Sequence, residues 1–175
     1  MKFSRAWAMP SADTFSIPPI EDFIQRHMRH PSIDPFARNS ILATLTNDLN
    51  PATSATYHMD AEDFCRDIGN DTQKAHTGLF DPPYSPRQIS ECYQQIGREV
   101  GMAGTQNAAL YKRVRDAMMS CLTPDAVVLS FGWNSAGMGV KRGFEIIEIL
   151  LVAHGGAHND TICMAERRLP TIQLA

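Results

Sequence analysis

The chain has 175 residues, 43% apolar and 20% charged, enough for one globular domain with a buried core and little more. A formal net charge of −3 supplies no global basic field, so contact with nucleic acid would have to come from a local patch. The four scattered cysteines, with no CxxC pair and no His/Cys cluster, argue against a zinc site or a disulfide framework and for reduced thiols in a cytoplasmic setting. No apolar run reaches membrane-spanning length, so no membrane partner is expected.

Residues 1–17 read as an N-terminal tail. From Pro18 to His30, Ile20, Phe23, Ile24 and Met28 recur at helical spacing behind two prolines suited to a helix start, which predicts a helix. A brief strand runs into Asp34. "ILATLTNDL" suggests a strand leading to Asp48, and "ATYHM" one ending near Met59, before a helix from Asp60. Thr77–Phe80 is expected as a strand that breaks into "DPPYSPRQ". Prolines neither continue a central strand nor enter a helix interior, so Asp81 and Tyr84 belong to a stiff loop.

Further helices are predicted after Pro86 and over Asn107–Leu122. In the second of these, Leu110, Val114, Ala117, Met118 and Cys121 share one face. "DAVVLSFGW" has the continuous apolar run of a buried strand. "FEIIEILLVAHGG" and "NDTICMAERRL" read as two strands joined by a glycine-containing turn. Strands alternating with helices, followed by a hairpin, predict an α/β fold whose Rossmann-like sheet is mostly parallel with an antiparallel C-terminal hairpin at its edge. That sheet occupies residues 18–168 as a single domain, with 169–175 as a tail.

Ligands of open α/β sheets bind at the carboxyl ends of the strands. Four acids, Asp34, Asp48, Asp60 and Asp81, fall at such ends. Each alone fits a helix N-cap or a turn; together they point to a shared ligand edge.

The order of these motifs resembles the S-adenosylmethionine-dependent DNA amino-methyltransferases, and in particular the DPPY adenine-N6 type in its small, stand-alone, phage-like form. "DPPY" at 81–84 matches that family's catalytic motif. "DPFARNS" at 34–40 is similar to its cofactor loop, and "TNDLNP" at 46–51 and "MDAEDF" at 59–64 stand where the family has acids for the cofactor ribose and adenine.

The resemblance implies a methyltransferase domain over 18–168 with S-adenosylmethionine as cofactor. It implies cofactor contacts from Asp34, Phe36, Asp48, Asp60 and Ala61. Asp81 and the Pro82 carbonyl would accept the two protons of the target amine, and Tyr84 would stack on the base. The implied reaction is methylation of the exocyclic amine of a nucleobase, with adenine in DNA first. The chain departs from the family pattern at Arg38 and Asn39, where glycine is usual. That leaves open a methyltransferase-fold protein that binds nucleic acid or a partner, or that carries out a different base modification.

There is no room for a separate target-recognition domain, so specificity would come from loops, a homodimer or a specificity partner. Arg87, and Lys141 and Arg142 in the glycine-rich loop 132–144, are the expected phosphate contacts. His154 and His158 lie four apart, but no third ligand is evident and no metal site is expected.

Overall fold

A computed structural model describes residues 1–71, 74–83, 90, 93–94, 97, 107–156 and 158–170. One seven-stranded sheet organises them. In chain order the elements are β1 (Lys2–Trp7), α1 (Pro18–His27), β2 (Ser32–Asp34), β3 (Leu45–Thr46), α2 (Ala61–Asn70), β4 (Ala75–Phe80), α3 (Asn107–Cys121), β5 (Leu122–Gly132), β6 (Phe144–Ala153) and β7 (Thr161–Arg168). Across the sheet they run β1-β6-β7-β5-β4-β2-β3. The pairs β1/β6, β2/β3, β2/β4 and β4/β5 are parallel, and β7 runs antiparallel to both β5 and β6.

The α/β sheet with its antiparallel hairpin is as expected, but two placements differ. The antiparallel strand is internal, because β7 inserts between β5 and β6. The segment expected as an N-terminal tail supplies the edge strand β1, in parallel register with β6 from Lys2↔Glu148 to Trp7↔Ala153. An ionic cluster fixes that edge. The buried Glu148 carboxylate accepts from Lys2 Nζ at 3.1 Å, from both Arg26 Nη atoms at 2.8 and 3.1 Å, and faces His27 Nε2 at 2.9 Å.

Each helix covers the sheet with the face its sequence marks as apolar. In α1, Ile20, Phe23 and Ile24 are buried at i, i+3, i+4 spacing against Leu129, Phe131 and Leu150. On the other face, Phe64, Cys65 and Ile68 of α2 and Val114, Met118 and Cys121 of α3 pack over Ile33, Phe80, Ala126 and Val128. The central run Ala126–Phe131 is buried on both sides, as a parallel-type strand between helical layers requires. After β2 the chain moves outward to β3, and β4 then lies on β2's other side. The carboxyl ends of β2 and β4 therefore flank a topological switch point, where such sheets hold ligands.

Candidate functional site

Asp34 is the last residue of β2, and Asp81 directly follows β4. Asp34 is completely buried. Its Oδ1 accepts from the Phe36 amide at 3.0 Å, while its Oδ2 has no hydrogen-bond partner among the described residues. Burial pushes this carboxyl up to about 8, and the nearby Asp81 and Asp48 charges add to the rise against the lowering by the Phe36 amide.

Above this acid opens a cavity of about 660 Å³. Its walls include Phe36, Asp48, Asp60, Ala61, Asp81 and Pro82, so six of the expected site residues converge there. Asp34 lies beneath the cavity and does not line it. Asp48 Oδ1 accepts from the Asn50 amide at 2.8 Å and its Oδ2 from the Arg38 amide at 3.2 Å. Asp60 is the N-cap of α2, with Oδ1 on the Glu62 amide at 2.9 Å, and its Oδ2 accepts from Tyr93 Oη at 3.1 Å. Each carboxylate oxygen keeps a second lone pair for a ligand.

Arg38 occupies the left-handed region with φ of 52°, the backbone conformation for which glycine is the usual choice. Its guanidinium donates to the Ala12 carbonyl at 3.1 Å across the cavity wall, and the loop keeps a glycine-like course without a glycine.

Asn47 is a site residue that sequence reasoning passed over. Completely buried, it donates from Nδ2 to the Pro35 and Met59 carbonyls and accepts at Oδ1 from the Met59 amide, each at 3.1 Å. Expected strands up to Asp48 and near Met59 reduce to the two residues of β3 and one bridge, Asn47↔Tyr57. The Asn47 side chain supplies the pairing that a longer strand would have given, and so holds the Pro35 loop against the segment before Asp60.

A second cavity, of about 300 Å³, adjoins the first, and Pro82 lines both. Phe80, Tyr111, Phe131 and Trp133 give it aromatic walls. Tyr111 Oη donates to the Pro83 carbonyl, which ties the Asp81–Pro83 turn to α3. Arg115 stacks 5.7 Å from the Phe80 ring centroid and donates to the Tyr111, Ala136 and Gly137 carbonyls. The buried Glu166 carboxylate accepts from the Met138 and Gly139 amides at 2.6 and 2.9 Å. A Cβ on Gly137 would lie 1.9 Å from Glu166 Oε2, so only glycine permits this approach.

These contacts fasten loop 132–144, with Gly137 serving a close packing contact. Arg142, expected on phosphate, is taken by Asp116 at 2.6 Å and by the Met138 carbonyl at 2.9 Å. Lys141 is exposed. Tyr84 and Arg87 lie outside the described residues, as does most of the helix expected after Pro86. His154 presents its ring nitrogens to the Ala8 carbonyl and Thr161 Oγ1, each at 2.9 Å, and among the described residues no cluster suited to a metal ion occurs. No helix among them is long and apolar enough to cross a membrane.

No protein-family model matches the chain, and no curated protein sequence matches it. Solved structures do. The Escherichia coli protein yhhF, assigned as a methyltransferase, superposes with a TM-score of 0.53 at 9% identity over 87% of this chain and 84% of that one. TrmN from Thermus thermophilus gives 0.54 at 14% identity over 87% of this chain, which spans 49% of TrmN. SMU.776, also assigned as a methyltransferase and crystallised with S-adenosylhomocysteine, gives 0.50 at 9% identity over 78% of this chain and 44% of that one. At such identities the likeness is one of fold, and the fold of this chain is the mixed α/β sheet of those methyltransferase structures.

Proposed function

We propose that the chain transfers a methyl group from S-adenosylmethionine to the exocyclic amine of a nucleobase, with adenine in DNA as the first substrate. The observation that carries this reading is the meeting of two cavities at Pro82, directly after Asp81, one walled by acids and the other by aromatic rings.

The residues of the larger cavity fit the cofactor. Its volume suits a nucleoside-sized ligand, the Arg38 guanidinium is held in its wall by the Ala12 carbonyl, and a buried carboxylate oxygen without a partner among the described residues lies nearby. Asp48 would accept from the ribose hydroxyls, Asp60 and Ala61 would hold the adenine with Phe36 beside it, and Asp34 would face the cationic methionine end. The bound cofactor supplies an electrophilic methyl group.

An exocyclic amine is a poor nucleophile because its lone pair is delocalised into the ring. Asp81 and the Pro82 carbonyl would accept its two protons in hydrogen bonds, which returns electron density to nitrogen. The two prolines and the Tyr111–Pro83 bond keep this acceptor pair in place. The surplus proton then leaves the nitrogen through the Asp81 carboxylate. Tyr84 would stack on the base once it leaves the duplex, and Lys141 would contact phosphate.

The test is methylation of DNA and RNA, followed by digestion and mass spectrometry of the nucleosides. N6-Methyladenine is the expected product. Asp81→Ala should lower the rate by roughly 10²-fold or more with cofactor affinity unchanged. Undiminished turnover in Asp81→Ala would remove Asp81 from the chemistry.

A further inference from the structure

Ser130 lies at the carboxyl end of β5, in register with Phe80 of β4 and Met164 of β7. Strand alternation puts its side chain on the face of Ala126 and Val128, beneath α3. It is 8% exposed and lines the aromatic cavity, yet its Oγ has no hydrogen-bond partner among the described residues. A buried hydroxyl without a partner costs about 1–3 kcal/mol, a cost that alanine would avoid at no change in backbone. Three other polar groups of this wall are engaged. Arg115 is spent on three carbonyls, Tyr111 Oη on the Pro83 carbonyl, and Asn134 Oδ1 accepts from the Ala136 amide at 2.9 Å.

The cavity is at the small end of ligand pockets, with room for one heterocycle between its aromatic side chains. With the target amine at Asp81 and Pro82, the ring extends into this space towards Ser130. A hydroxyl there is suited to donate to an atom of the ring's hydrogen-bonding edge.

We infer that Ser130 is a specificity-determining residue that donates a hydrogen bond to one of the two ring nitrogens on either side of the target amine, N1 or N7 of adenine. The inference rests on the functional reading above. It explains the orphaned hydroxyl, because the base supplies the partner that the protein lacks, and a base with carbon at that position would leave Ser130 unpaired.

The experiment compares kcat/KM for oligonucleotides carrying adenine, 1-deazaadenine or 7-deazaadenine, with wild type and Ser130→Ala. Wild type should prefer adenine over one deaza analogue by about tenfold or more, and Ser130→Ala should lose about tenfold on adenine together with that preference. A wild type that treats all three alike, or a Ser130→Ala variant that keeps the preference, overturns the inference and leaves methyl transfer standing.

A binding readout separates the two readings. Trp7 and Trp133 are the two tryptophans, so in Trp7→Phe protein the remaining fluorescence reports on the cavity. Adenosine should quench it with about tenfold weaker affinity when Ser130→Ala is added. Equal affinity refutes the role of Ser130 whatever the methylation assay gives. Absence of methyl transfer to any base by wild type refutes the functional reading instead.

Discussion

Replacing Asp34 with asparagine is expected to make the cofactor-free protein more stable while damaging its cofactor site. Burial raises the Asp34 carboxyl from 3.8 to about 8. Below 3.8 the folded and unfolded chains both carry the proton and no penalty exists. As pH rises, the unfolded chain gives up its proton and the folded chain must keep it, so stability falls until about pH 8. At pH 7 the interval from 3.8 is about three units, at about 1.4 kcal/mol each, or roughly 4 kcal/mol.

Asparagine has the same shape, and its Oδ1 can accept from the Phe36 amide as Asp34 does. Its Nδ2 carries two buried protons in place of one, which costs about 1–3 kcal/mol. The net gain at pH 7 is therefore about 2 kcal/mol; it vanishes near about pH 5.5, and below that the asparagine protein is the less stable of the two. Urea unfolding of both proteins at each pH from 4 to 8 measures this. An Asp34→Asn protein no more stable than wild type at pH 7, with the same slope against pH, would refute the reasoning.

Glu148 has the opposite sign. Its hydrogen bonds with Arg26, Lys2 and His27 lower its carboxyl from 4.5 to about 2, against the cost of burial, so its contribution is full above 4.5 and lost as pH falls towards 2. Lys2 and Arg26 are 62% and 37% exposed, which screens the cluster. Glu148→Gln should cost about 2 kcal/mol at pH 7 and converge with wild type near pH 2; a gap that persists in acid unfolding curves contradicts the linkage. Arg38→Gly should leave stability within about 0.5 kcal/mol, because relief of the left-handed strain offsets a freer unfolded chain. It should also leave cofactor affinity intact; a tenfold loss by calorimetry would assign the guanidinium a direct contact. Glu166→Gln removes one of two amide acceptors under loop 132–144 and should speed hydrogen exchange at Met138 and Gly139, with unchanged exchange at both amides as the contrary result.

The pattern of strands and helices was legible wherever one residue type dominates an environment. The apolar run of β5, the faces of α1 and α3 and the proline break after Phe80 state their surroundings locally. The edge strand was not legible in "KFSRAW", because its partner β6 lies far along the chain and its anchor Glu148 sits in an otherwise apolar stretch. At the site, Asp48, Asp60 and Asp81 line one cavity, although only Asp81 directly follows a regular strand. Asn47 was hidden beside Asp48, since a side chain that replaces strand pairing leaves no periodic mark. The same is true of Glu166, which looks like any acid in a strand until the loop it holds is folded over it. Ser130 is one polar residue in an apolar run, and only the missing partner at its hydroxyl separates it from an ordinary strand serine.

Calorimetric titration with S-adenosylmethionine tests the account most directly. The larger cavity should bind it with micromolar affinity. Asp60→Asn, which still caps α2 because asparagine is an equally good cap, should weaken binding at least tenfold without loss of folding. No heat at millimolar ligand, or an affinity indifferent to Asp60→Asn, would contradict the assignment of this cavity to the methyl donor.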